Sequence, residues 1–176
     1  MTLIKAFNIL IAVAVLAGLS VAQQHPQVGQ STSGSIAFDK LKALAGEWEG
    51  EMRKDGKDIP TTTSFRVVSD GSALMDLMNS GTPHEMVTMF HMDGKDLLAT
   101  HYCAAHNQPR FRFVSTSEPN TVKFEFRDAT KLSSPTAPHM VGVKFTLVDA
   151  NHHFEDWTFL ENGHTGTTRF DYHRKL

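Results

Sequence analysis

Apolar and polar residues alternate along most of this chain with a period of two. Val122, Phe124 and Phe126 interleave with Lys123, Glu125 and Arg127, and Phe111 and Phe113 with Arg110 and Arg112. That period places one set of side chains on each face of a β-strand. The pattern predicts strands over 47–54, 60–69, 72–79, 85–92, 95–103, 109–116, 120–127, 139–148, 152–160 and 164–173. Between them stand Lys54-Asp55-Gly56-Lys57, Asp70-Gly71, Asp93-Gly94, Glu118-Pro119-Asn120 and Glu161-Asn162-Gly163, which carry turn chemistry. Residues 131–138 read as a Ser/Pro loop. Short strands joined by hairpins predict an all-β, antiparallel sandwich or barrel. About ten meandering strands favour a closed up-and-down β-barrel, which leaves no exposed edge. Ahead of them Ile36, Phe38, Leu41, Leu44 and Ala45 fall at helical spacing, and Gly46 ends that short helix.

The N-terminal end changes period again. Lys5 precedes an apolar run from Ala6 to Val21, and Ser20-Val21-Ala22 offers a small-residue cleavage site before Gln23. Residues 1–22 therefore read as a signal peptide, 23–35 as a disordered linker and 36–176 as one β-barrel domain. The expected location is secreted or periplasmic, with no membrane association after cleavage. The apolar run is short for a spanning helix of about 20 residues.

The formal charge of −2 offers no basic face for phosphates, so no nucleic-acid partner is expected. Cys103 is the sole cysteine of the sequence, which excludes an intrachain disulfide.

The richest chemistry lies in residues 84–113. Four of the ten histidines and Cys103 fall there, on a hairpin and the polar loop that follows it. A two-residue Asp93-Gly94 turn pairs Met92 with Lys95, Phe90 with Leu97, Thr88 with Ala99, Met86 with His101 and His84 with Cys103. That face, being apolar, is expected inside, and His91 outside. His84, Met86, Phe90, His101 and Cys103 then line a ligand pocket near the barrel mouth. The loop residues His106, Asn107, Gln108 and Arg110 would select a polar head group. A His beside a Cys can lower the thiol pKa, and either can hold haem iron; a buried Cys serving as a small hydrophobe is the competing reading. No metal site is expected. The histidines lack HxH and HExxH spacing, His152 and His153 point to opposite strand faces, and only His84, His101, Cys103 and His106 would converge. Glu49, Glu51, Asp76 and Glu155 show no pairing. Glu155 shares the parity of Trp157, which places it near a barrel end or in an inner polar network.

Gly46-Glu47-Trp48, opening the first strand after a short helix, resembles the G-x-W signature of lipocalins and the wider calycin group. With Gly50, the spacing is similar to nitrobindins. The resemblance implies a Trp plugging one barrel end under an Arg of the last strand, with Arg169 the first candidate and Arg174 the second. It also implies a haem-binding His near the C-terminus, where Tyr172-His173-Arg174 does not match the nitrobindin motif; His173 shares its face with Arg169 and Asp171, toward solvent. The segment from Met86 to Arg110 resembles a block found in an uncharacterised family of secreted bacterial proteins, a domain of unknown function. The expected role is binding of a small hydrophobic molecule inside the barrel. The alternatives are a haem-binding or isomerase/cyclase-type enzyme using His101 or the Cys103–His84 pair, and a filled barrel that serves as an interaction module.

Overall fold

The computed structural model describes residues 31–54 and 56–175. Helix α1 (Ser33–Lys42) precedes ten strands: β1 (Gly46–Lys54), β2 (Lys57–Val68), β3 (Ala73–Met78), β4 (Met86–Asp93), β5 (Asp96–Tyr102), β6 (Gln108–Val114), β7 (Thr121–Thr130), β8 (His139–Asp149), β9 (His152–Glu161) and β10 (His164–Arg174). Each strand pairs antiparallel with its sequence neighbours, and β1 pairs with β10, so the sheet closes on itself. This is the up-and-down barrel that the alternation predicts.

The signal-peptide reading of residues 1–22, and the linker as far as residue 30, lie outside the described residues. The linker ends earlier than expected, because Thr32 caps α1 by accepting the Ser35 N–H at 3.1 Å. Ser33–Ser35 are therefore helical. Lys40 and Lys42 in the last turn suit the helix dipole. Ala37, Phe38 and Leu41, with Leu44 beyond the helix, are buried and close one barrel end.

Trp48 sits at that end, 1% exposed, donating its indole N–H to the Leu44 carbonyl at 2.8 Å. The arginine above it is Arg174, whose guanidinium lies 4.2 Å from the ring centroid and donates to the carbonyls of Ala45, Ala43 and Ala150. Arg169 does not do this. It has the outward parity of Asp171 and forks onto Asp156 at 2.7 and 2.8 Å. Gly46 makes room for the arrangement, since a Cβ there would lie 2.6 Å from Arg174 Nη1 and the residue takes a φ of +134°.

The β4–β5 hairpin turns on Gly94-Lys95, one residue later than expected, with Asp93 opposite Asp96. Gly94 takes φ +59° at the first turn position, where a type II′ turn needs glycine. The register therefore moves by two residues: Met92 faces Leu97, Phe90 faces Ala99, and Thr88 faces His101. A shift of two preserves the side-chain parity. Phe90, Leu97, Ala99 and His101 are buried inside, and His91 is exposed, as the alternation predicts.

Candidate functional site

The lumen is filled largely by aromatic side chains. Trp48, Phe65, Phe90, Phe111, Phe124, Phe145 and Trp157 are each 2% exposed or less. Phe90, Phe124, Phe145 and Trp157 form a chain of edge and tilted contacts with centroids 5.4 to 6.4 Å apart. Such pairs add stability beyond the area they bury.

Set into this apolar filling is a group of ionisable and hydroxyl side chains. β3, β4 and β5 bring Asp76, Thr88 and His101 side by side, because Asp76 pairs with Thr88 and Thr88 with His101. From β9, His153 and Glu155 point inward, two residues apart on one face. All five are fully buried. Thr63 Oγ1 donates to Asp76 Oδ1. Thr88 Oγ1 and His101 Nδ1 lie 2.9 Å apart. His153 Nε2 is 3.1 Å from Glu155 Oε1, and Trp157 donates to Glu155 Oε2 at 2.8 Å. Tyr172 stacks on His153 with ring centroids 5.3 Å apart and meets Thr61 Oγ1 through its hydroxyl at 3.2 Å.

Burial decides the charge of these groups, since an ion is costly away from water. Desolvation pushes the Glu155 carboxyl up to about 8, against the lowering effect of the Trp157 hydrogen bond. Asp76 is held well above the usual carboxylate range by burial and then by the Glu155 charge. Burial also pulls His101 down to about 4 and His153 down to about 3. The Tyr172 hydroxyl is raised, chiefly by burial. Burial thus favours the uncharged forms of both carboxyls and both imidazoles in this group.

Hydrogen bonding is incomplete here. Asp76 Oδ2, His101 Nε2 and His153 Nδ1 are buried and have no protein partner. Leaving such an atom bare costs about 1–3 kcal/mol, and folded proteins pair nearly all of them. The larger surface hollows differ. One of about 540 Å³ on the outer wall is lined by Lys123, Lys144, Asp156 and Arg169, whose charges are already engaged in Lys144–Glu118, Lys123–Glu125 and Arg169–Asp156 pairs. Bare polar atoms mark the interior as the candidate site.

The residues expected to line a pocket are divided by the fold. Phe90 and His101 are inside, and Met86 is half-buried against the core. His84 is exposed in the turn before β4, and Cys103 follows the end of β5, half-buried, so the two do not form the expected cross-strand pair. Burial pushes the Cys103 thiol up, opposite to what a thiolate needs. Cys103 and Asn107 close a tight loop, with the Cys103 N–H donating to the Asn107 carbonyl at 3.1 Å. Asn107 is buried and donates to the Pro138 carbonyl at 2.8 Å. Gln108 accepts from Thr130, and Arg110 pairs with Asp128 on the surface. His106 is exposed. The Asn107 side chain thus bonds the 131–138 loop and those of Gln108 and Arg110 bond β7, while Asn107 Oδ1 is buried without a protein partner.

The residues do not fit haem. His101 Nε2 opens onto a lumen occupied by the rings named above, with Trp157 4.7 Å from its own ring. His173 faces outward.

Asp76, Thr63, Thr88 and His153 were not legible as site residues. The inward parity of Glu155 and of Thr88 was the available signal, because alternation assigns a face to each strand and says nothing about which strands meet across the lumen.

No family model matches the chain, and no curated protein matches it. Among solved structures, a protein of unknown function from the DUF3598 family of Nostoc punctiforme PCC 73102 is similar at 13% identity and a TM-score of 0.53, over 77% of this chain and 48% of that one. The chain thus spans about half of that protein. Rv2717c from M. tuberculosis is similar at 13% identity and a TM-score of 0.50, over 80% of this chain and 98% of that one. At this identity the likeness shows a shared barrel fold.

Proposed function

We propose that this protein binds a small, largely apolar, uncharged molecule inside the barrel, with a hydrogen-bonding group of that molecule docked on Asp76, His101 and His153. The observation that carries this reading is the set of three buried polar atoms without protein partners in a lumen filled largely by aromatic side chains. A polar group of the ligand would satisfy the Asp76 carboxyl, and the imidazole nitrogens would take its remaining donor or acceptor positions. The aromatic filling limits the ligand to few atoms and supplies apolar contact around it. Polar selection on this reading rests on three unpartnered atoms of the interior, with one more, Asn107 Oδ1, at the mouth loop. Secretion after cleavage near Ala22 is part of the same proposal, as is a calycin-like relationship supported by Gly46, Trp48 and the Arg174 cover.

Native mass spectrometry of the purified protein, with the combined intrinsic fluorescence of Trp48 and Trp157, tests the reading. A co-purified adduct of low mass is expected, and its removal should change that emission. Its loss in Asp76→Asn and His101→Phe variants that remain folded would locate it. A chain free of adduct, whose emission is indifferent to small carbonyl or hydroxyl compounds, would leave the filled barrel as the better account.

A further inference from the structure

The outer wall carries a second cluster that the interior site does not use. His152 at the start of β9 and His173 near the end of β10 are cross-strand partners, and Asp171 precedes His173 on the same outward face. The two imidazoles stack 4.3 Å apart with their planes 17° from parallel. Both direct Nε2 at one oxygen: His152 Nε2 is 2.9 Å and His173 Nε2 3.4 Å from Asp171 Oδ1. Among the described residues, this is the one group of three metal-capable side chains whose ligand atoms all fall within 4.8 Å of one another.

We propose that His152, Asp171 and His173 form a three-ligand site for a divalent transition-metal ion of the zinc class. Two imidazoles and a carboxylate are a donor set that zinc accepts, with a fourth position left for water or another oxygen. Zinc–ligand bonds of about 2.0–2.1 Å set tetrahedral ligand atoms roughly 3.3 Å apart. Two of the three spacings here are already 2.9 and 3.4 Å. The Nε2 atoms that now point at the carboxylate oxygen would, in the tautomer that leaves them unprotonated, converge equally on a cation beside it.

The surroundings favour a cation. On β1, Glu49 pairs with His173 and Glu51 with Asp171, and both are exposed and outward. Glu49 is thus the nearest strand neighbour able to supply a fourth oxygen. Arg169, the next residue on the Asp171 face of β10, is held by Asp156 and lies over Phe154 at 4.9 Å, so its charge is partly neutralised. Phe154 also packs edge-on against His152 at 4.7 Å, which orients that ring. A bound ion would clamp β9 to β10 at the barrel end where His153, the inward neighbour of His152, meets Trp48.

Zinc chloride titrated into the full chain, produced without an added polyhistidine, tests the site, with stoichiometry from calorimetry and ligand identity from imidazole nitrogen NMR. One zinc per chain is expected, with the Nε2 signals of His152 and His173 shifting together. His152→Asn with His173→Asn should weaken binding by well over tenfold, since outer-shell changes alone cost about 10–100-fold in metal sites. Asp171→Asn should weaken it less. All three side chains are partly exposed, so these variants should keep the metal-free thermal midpoint. Zinc that moves other histidine signals, binding undiminished in the double variant, or no binding up to about 1 mM would each overturn the proposal.

Discussion

Trp157 donates its indole N–H to Glu155 across 2.8 Å, two residues away on the inner face of β9. That single bond joins the aromatic filling to the polar group, because Trp157 also packs on Phe111, Phe145 and His101. A carboxyl in such surroundings is stable only when neutral or well supplied with donors. Here burial outweighs the indole hydrogen bond and raises the Glu155 carboxyl to about 8.

The stability of the protein should therefore fall as pH rises from about 7 to 8. The folded state keeps the Glu155 proton up to about 8, whereas the unfolded chain releases it near the ordinary 4.5. Between those values the native state binds more protons, so raising pH favours unfolding. Asp76, also raised, acts in the same direction. His101 and His153 act oppositely. Lowered from 6.5 to about 4 and 3, they favour folding as pH rises, an effect that fades over about one pH unit above 6.5 as the unfolded chain loses its imidazole protons. Urea unfolding at pH 7, 7.5 and 8 should show a declining free energy, and Glu155→Gln should flatten most of that decline. A wild-type profile level from 7 to 8 would contradict it.

The Trp48 plug yields a contrast between two arginines of one strand. Arg174→Ala removes three hydrogen bonds to the carbonyls of Ala43, Ala45 and Ala150 and uncovers the Trp48 ring. A loss of about 2–4 kcal/mol is expected. Arg169→Ala breaks a surface pair with Asp156 and should cost about 1 kcal/mol or less. Equal shifts in the denaturation midpoints of the two variants would refute the assignment of Arg174 as the cover.

The order and number of strands were legible because glycine turns punctuate a strict alternation. The inner face of β4 and β5 survived a misplaced turn because the register error was two residues, an even number. Arg169 misled because family likeness supplied the residue type, whereas parity along β10 sends Arg169 outward with Asp171. The His152–His173 pair was readable in principle. A two-residue Asn162-Gly163 turn, with both residues at positive φ, fixes the β9–β10 register and sets those histidines opposite each other. The Asp76–Glu155 relationship was not readable, since it exists only once the β1–β10 seam has curled the sheet and brought β3 and β9 toward one lumen.

That seam depends on Gly50. A Cβ there would lie 1.9 Å from the Asp171 carbonyl oxygen and 2.8 Å from its carbon, both backbone atoms of β10. Backbone cannot swing aside as a side-chain end can. Gly50→Ala should thus cost several kcal/mol, at the severe end for a single substitution. Amide hydrogen exchange should show β1 and β10 losing protection more than β6 and β7. A variant with wild-type stability and uniform protection would mean that the strands close without that approach.

Cys103 should react slowly. Its thiol is pushed up by burial, which outweighs a hydrogen bond from the Ala105 backbone, and the thiolate is the reactive form. At pH 7 its labelling by a soluble disulfide reagent should be slower than that of the same protein in denaturant. Because His84 stands exposed in the turn before β4 rather than opposite Cys103, His84→Ala should leave the rate unchanged. A fast native reaction that slows on His84→Ala would restore the thiolate pair and move the chemistry of this barrel from its interior to its mouth.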